Sequence, residues 1–405
     1  MSKSLLQAFQ INSIAPALTR YFPVGTLSLP ADATEALQQM LFRTAGTLSN
    51  LTVLVASNDC ASASTIQVRK NGANGASSVS VTAATAGVFQ DLVNIETVAA
   101  GDLFGYQLVT GSAGTNFWFG TISMVYNATN KTVIRAAISA GLSSTSVAST
   151  TRYNCPTGPA SWQLSETFLP NIFRTTVTLK NLFVYISTNA RTTATTWGTR
   201  KNGADGSLLI SVGASATGNF EDTANSDSIV ATDTVGYFRR TGTGTGSIAF
   251  TQMAMDIITD DRTSMLLAGS PTGSPNNFGT TTYFGISGAL SSFSESWVNA
   301  PFILKALISN LSVYISANTI NAGTTTFRMR KTSAFGNLSV SVGFGATGTF
   351  TDASGTDKIL PANRVAIQQV ISGASGAMTN NWMSAKVKFW GDKEMIGSGA
   401  VPVPR

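Results

Sequence analysis

The sequence predicts an all-β protein made of three tandem antiparallel β-sandwich domains of the jelly-roll kind. Three observations carry that expectation. One segment occurs three times with almost no gaps, at a period of 131 and then 130 residues between Arg69, Arg200 and Arg330. Each copy alternates apolar with polar or small residues, as half-buried strands do. Turn signals recur roughly every eight to twelve residues, which suits about seven to nine short strands per copy. The period is too long for a solenoid unit and right for a whole domain.

The copies align in a fixed order. Each opens on Phe-Arg in the first two cases, Phe42-Arg43 and Phe173-Arg174. Taken alone, residues 32–43 read as a capped helix with Asp32 and Glu35 as its capping pair. The counterpart in the second copy holds Pro170 and β-branched residues, which turns the expectation to strand or loop for both. Next comes an alternating strand beginning Asn50-Leu51, Asn181-Leu182 or Asn310-Leu311. A basic pair follows: Arg69-Lys70, Arg200-Lys201 or Arg330-Lys331. In two copies Asn-Gly stands directly after it, at Asn71-Gly72 and Asn202-Gly203, the strongest short hairpin signal because both residues tolerate positive φ. The third copy has Thr332-Ser333, and a different turn is expected there.

After a second strand comes Gly-x-Phe-x-Asp, ending at Asp91, Asp222 and Asp352. Five residues on lies another acid, Glu96, Asp227 or Asp357, and eleven on lies Asp102, Asp233 or Asn363. Stretches 136–151 and 269–279 read as linkers, the second from Pro271 and Pro275. The expected domains are therefore 1–136 with an N-terminal anchor segment, 137–267, and 268–405 with an extended tail.

Composition narrows the function. The chain has 405 residues, 43% hydrophobic but only 11% charged, and no histidine. Ser-His and Cys-His nucleophiles are thereby excluded. Cys60 and Cys155 lie at non-equivalent places and form no metal-ligand cluster, and their spacing leaves one disulfide open. The net charge of +6 is spread thinly, without a block of five basic residues, so no nucleic-acid partner is expected. No apolar run reaches the roughly 18 residues of a membrane helix, and the N-terminus lacks the apolar core of a signal peptide. The expectation is synthesis in a cytoplasm without membrane anchoring. The Gly-Thr-Gly-Thr-Gly run at 242–246 lacks a lysine and lies between strands, so it reads as a flexible loop rather than a phosphate cradle.

The repeated acids admit three readings: turn formers bonded to backbone N–H groups, a calcium cage, or a glycosidase pair. Repetition with the fold favours the first. Arg69, Arg200 and Arg330 are expected to be structural or interface residues, paired with Asp91, Asp222 and Asp352. Trp118, in the run Phe117-Trp118-Phe119, and Trp382 are not shared among the copies and are the candidate glycan contacts, while core packing is the competing role for every tryptophan. No catalytic residue, metal site or cofactor is assigned.

The runs Arg69 to Gly75 and Arg200 to Gly206, Arg-Lys-Asn-Gly-Ala-x-Gly, are followed by Gly-x-Phe-x-Asp. This pattern resembles tandem jelly-roll virion proteins of tailed bacteriophages, over most of each copy. The resemblance implies a capsid decoration, head-fibre or tail-fibre protein that associates as a homo-oligomer, a trimer by preference. The reading is thus a non-enzymatic structural protein of a virion, with other virion proteins as partners. Residues 2–29 would anchor it, and 397–405 would lie on a partner as an extended strap. A carbohydrate-binding adhesin for host-surface glycans is the alternative. A polysaccharide-degrading enzyme is disfavoured by the missing histidine and sparse acids.

Overall fold

The computed structural model describes residues 3–10, 13–24, 27–28, 31–129, 132–145, 147–156, 162–166, 171–259, 263–269, 276–277, 279–286, 291–373 and 375–389. The strap at 397–405 and the prolines at 271 and 275 lie outside them.

Eight principal strands form the first domain: β1 (Lys3–Gln10), β2 (Thr19–Pro23), β3 (Gly46–Asn58), β4 (Ser64–Lys70), β5 (Ala73–Val81), β6 (Gly87–Val98), β7 (Leu103–Val109) and β8 (Phe117–Ala128). The second has β9 (Thr132–Thr145), β10 (Thr151–Asn154), β11 (Val177–Asn189), β12 (Thr195–Lys201), β13 (Ala204–Val212), β14 (Gly218–Ile229), β15 (Thr234–Thr241) and β16 (Ile248–Thr259). The third has β17 (Thr263–Gly269), β18 (Thr281–Phe284), β19 (Ala306–Asn318), β20 (Thr324–Lys331), β21 (Ala334–Gly343), β22 (Gly348–Ile359), β23 (Arg364–Ile371) and β24 (Ala377–Phe389).

The first domain pairs its strands as β1-β8-β3-β6 and β2-β7-β4-β5. The other two repeat that order, β9-β16-β11-β14 with β10-β15-β12-β13, and β17-β24-β19-β22 with β18-β23-β20-β21. First strand beside last and second beside seventh is the wrapping of a jelly roll, so the chain is three jelly rolls in series. Apolar side chains alternate inward between the two sheets of each domain and form its core.

Several local details differ from the sequence reading. The expected linker 136–151 is largely β9, which pairs with β16 along its length. Strand β17 likewise starts at Thr263 and pairs with β24. The N-terminal segment is no free anchor: β1 pairs antiparallel with β8 from Lys3↔Asn127 to Phe9↔Thr121, because it supplies the sheet's first strand. Between the second and third strands lie single helical turns at Glu35–Leu37 and Glu295–Val298, each followed by a two-residue strand, Met40–Leu41 and Ala300–Pro301, and the second domain has the equivalent strand at Asn171–Ile172. Glu35 caps nothing there, although the Asp32 carboxylate accepts the Thr34 N–H at 2.7 Å.

The third hairpin turn keeps the geometry of the other two. Thr332 and Ser333 have φ of 49° and 64°, against 52° and 79° at Asn71-Gly72 and 48° and 80° at Asn202-Gly203. The register demands it: Lys331 pairs with Ala334 as Lys70 does with Ala73. The Thr332 hydroxyl accepts the Arg364 N–H at 3.3 Å, the role of the Asn71 and Asn202 side-chain carbonyls toward Leu103 and Thr234. The repeated Asn50, Asn181 and Asn310 have a related purpose. Each has φ of 55–57° at a register shift in its strand, so asparagine there makes a bulge with positive φ.

The three domains close head to tail into a ring. At the first junction Arg43 pairs with Glu221, Thr44 Oγ1 donates to Asp256 Oδ2 at 3.2 Å, and Gln252 Nε2 donates to the Leu37 carbonyl at 3.1 Å. Phe183 and Ala254 of the second domain join the first domain's apolar cluster. At the second junction Arg174 Nη2 donates to Thr351 Oγ1 at 3.1 Å, and Asn171–Ile172 lies against β24. At the third, Glu295–Val298 lies against β8, and Ala300–Pro301 against β3. In each case the segment between the second and third strands rests on the outer sheet face of the next domain. That face is consequently buried on both sides in β8, β16 and β24.

Candidate functional site

The repeated charged residues converge on one end of each sandwich, around the hairpin between the fourth and fifth strands. The expected pairing of Arg69, Arg200 and Arg330 with the Gly-x-Phe-x-Asp carboxylates does not occur. Arg69 Nη2 instead meets Glu35 Oε2 at 2.9 Å, Arg200 Nη2 meets Glu166 Oε2 at 2.6 Å, and Arg330 Nη2 meets Glu295 Oε2 at 2.9 Å. Each arginine also donates to the carbonyl three residues on, at Gly72, Gly203 or Ser333, and so pins its own hairpin turn. Glu35 raises the pKa of Arg69 through its hydrogen bond, and Glu166 does the same for Arg200. Arg200 takes a second acid, Asp205, and Arg330 lies over the Phe335 ring at 4.6 Å.

The Asp carboxylates serve the backbone instead. Asp91 accepts N–H groups of Ser78, Val93 and Asn94 at 3.0–3.2 Å. Asp222 accepts those of Leu209, Ala224 and Asn225 at 2.8–3.2 Å. Asp352 accepts those of Ser339, Ser354 and Gly355 at 2.7–3.1 Å. Burial pushes these carboxyl groups up, but the N–H donors outweigh it and hold all three below the usual aspartate value. Each therefore ties the fifth strand to the start of a bulge in the sixth.

The acids five residues on do similar work one rung lower. Glu96 accepts the Ser77 N–H at 2.6 Å, Asp227 the Ser207 N–H at 2.5 Å, and Asp357 the Asn337 N–H at 2.9 Å. Room for them comes from glycine: a Cβ on Gly206 would stand 2.5 Å from Asp227 Oδ2, and Gly75 and Gly336 face Glu96 and Asp357 likewise. Asp102 and Asp233 receive Lys70 and Lys201 at 2.9 and 3.1 Å.

This arrangement is chemically committed. The repeated carboxylates accept hydrogen bonds from backbone N–H groups or pair with neighbouring lysines. Among the described residues, no group of three or more Cys, Asp or Glu side chains could hold a metal ion. Three N–H groups of the loop at 242–246 are bonded within the fold: Gly242 donates to Ala194 O, Gly244 to Thr193 Oγ1 and Thr245 to Thr192 Oγ1, at 2.9–3.1 Å. The Arg191 guanidinium donates to the carbonyls of Gly242 and Gly246, which pins the loop to the fold. Cys60 and Cys155 are each a buried thiol, not joined to one another.

Trp118 is half-buried on β8, opposite Ser57. Trp382 is 2% exposed and stacks on Tyr314 at 5.7 Å with 6° between the rings. A buried, already stacked indole offers no face to a sugar, so Trp382 is a packing residue on the side of β24 that faces the second domain.

The partners Glu35, Glu166 and Glu295 were hidden in the sequence by dissimilar neighbours. Their constant lead over the arginines, 34, 34 and 35 residues, is the signal that points to them. Arg43 recurs as Arg174, but the position of Glu221 holds Gln90 in the first domain and Thr351 in the third, so the ion pair itself leaves no repeated signal.

Strand order, repeated girdle and ring together define a triple jelly-roll protein in a single chain. Among solved structures, the chain is similar to one described as the triple jelly-roll fold and turret assembly of an archaeal virus, with 13% identity over 95% of this chain and 90% of that one, at a TM-score of 0.20. It is similar also to the major capsid protein of that kind of virus, STIV, with 10% identity over 64% and 97% at a TM-score of 0.20. A third likeness is to the atomic structure of Sulfolobus Turreted Icosahedral Virus, with 14% identity over 96% and 91% at a TM-score of 0.19. No protein-family model and no curated protein matches the chain. The assignment of the fold rests on the chain's own strand order.

Proposed function

We propose that this protein is a non-enzymatic structural component of a virus particle, decorating or projecting from the capsid or tail, with its domains at about 3–128, 132–259 and 263–389. The observation that carries the reading is the closed ring of three jelly rolls in which every repeated charged residue is engaged in the fold itself. Such a body is a rigid building block, with little left over for catalysis. Its first domain differs from the others where a partner would touch it. Leu92, Val93 and Ile95 project outward from β6, Val93 at 85% exposure, while the second and third domains carry Thr223, Ala224 and Ser226 or Ala353, Ser354 and Thr356 at these places. Apolar side chains on this edge suit contact with another virion protein or a second copy. A trimer of chains belongs to this reading, although one chain already brings three jelly rolls together.

Immunogold labelling of intact particles, with antibody raised against the purified chain, tests the proposal. Regular labelling of the particle surface is the expected outcome. Label confined to the soluble fraction of infected cells overturns it.

A further inference from the structure

The core of the second domain contains a group that the fold does not explain. Arg239, on β15, is 3% exposed and points inward with Val235 and Tyr237. Its guanidinium lies over the Trp162 ring at 5.0 Å and near the Phe250 ring at 5.9 Å. Trp197 is its cross-strand partner on β12, so the two side chains share the inner face. Three N–H donors here are buried without an acceptor: Nη1 of Arg239, Nε1 of Trp162 and Nε1 of Trp197. Among the described residues, no carboxylate pairs with Arg239. The charge that acts on it is that of Arg152, its other cross-strand partner, and has the same sign.

A buried, unpaired cation is costly, and aromatic faces offset only part of that cost. Burial first, then Arg152, pushes the Arg239 pKa down to about 10, which leaves it cationic at neutral pH. The other domains avoid the problem. The equivalent positions hold Leu108 and Gln369, and Trp197 is matched by Ile66 and Phe327. Gln369 is fully buried and donates to Met378 Sδ at 3.8 Å.

We propose that the interior of the second domain binds one small monovalent anion of the halide class, held by the Arg239 guanidinium and the indole N–H groups of Trp162 and Trp197. A halide accepts from several directions at once, neutralises the guanidinium and relieves its repulsion from Arg152. Chloride is the natural occupant by abundance, and bromide is its heavier probe.

Bromide titration of the full chain at constant ionic strength, with gluconate as the replaced anion, reads the site through tryptophan fluorescence. The expected result is a saturable quenching component that chloride competes away. Arg239→Leu, which installs the first domain's residue, is expected to abolish that component and leave linear collisional quenching. Should R239L not fold, Arg239→Gln, with the third domain's residue, gives the same readout. Purely linear quenching of the native chain, or saturable quenching unchanged in the folded variant, overturns the proposal.

Discussion

Arg43 and Glu221 stand 178 positions apart in the chain and form a two-pronged ion pair across the junction of the first and second domains, with Arg43 Nε donating to Glu221 Oε1 at 2.9 Å. The pair is partly open to solvent, with side-chain exposures of 32% and 17%. Its worth is therefore modest, about 0.5–1 kcal/mol. Arg43→Ala is expected to lower the urea midpoint slightly and to raise hydrogen exchange along β14 more than within the cores. A double-mutant cycle with Glu221→Gln measures the coupling, and additive effects would show that the two side chains do not interact.

The hairpin at Thr332-Ser333 holds two non-glycine residues at positive φ, one of them β-branched. Left-handed backbone costs such residues about 1–2 kcal/mol each. Thr332→Asn with Ser333→Gly restores the chemistry of the other two turns and keeps an acceptor for the Arg364 N–H. The double variant is expected to raise the thermal midpoint of the third domain. An unchanged or lower midpoint in calorimetry counts against strain in this turn.

Acid should loosen all three domains together. The carboxyl groups of Asp91, Asp222 and Asp352 have folded pKa values below the unfolded value of about 3.9. Their contribution is fully present above that value and is lost as pH falls through the folded pKa. Denaturant midpoints should thus be insensitive to these groups above about pH 5 and decline below about pH 4. Asp222→Asn is expected to reduce stability at neutral pH and to flatten the acid slope. A slope identical to that of the native chain would refute the assignment.

Trp382 separates the packing role from sugar recognition. Trp382→Ala removes a buried indole stacked on Tyr314 and is expected to cost about 3–5 kcal/mol. Trp118→Ala, at a half-buried position, is expected to cost less. Denaturation curves of the two variants check the order, and a smaller loss for Trp382 would contradict its buried position.

Removal of residues 1–10 tests the N-terminal strand. Without β1 the β8 edge loses its seven cross-strand partners. The first domain is expected to melt earlier while the other two keep their transitions. A truncated chain that melts like the full one would show that β1 is dispensable.

Much of this fold was legible along the chain, and the particular residues show why. Alternation marked the strands, and Asn71-Gly72 and Asn202-Gly203 marked the hairpins, because strand and turn preferences act between neighbours. The pairing of Arg69 with Asp91 was the wrong partner from a plausible set. The repeat shows that both residues matter to every copy, but many acids share that periodicity. Only the placement of the single helical turn brings Glu35 to Arg69 and leaves Asp91 to the backbone. Trp382 was equally ambiguous, since an indole suits a sugar or a core and only burial separates them.

The sequence by itself determined that there are three copies, that each is all-β, and that the shared polar residues belong to the repeat. The sequence also pointed to the jelly-roll kind of sandwich, while tertiary structure alone decided the strand pairing that realises it, the closure into a ring and the isolation of Arg239. Backbone pairing and turn chemistry are local and recur in every copy, so they leave a period to read. The Arg43–Glu221 ion pair and the surroundings of Arg239 depend on side chains that differ between copies and meet across the folded chain, where no period records them.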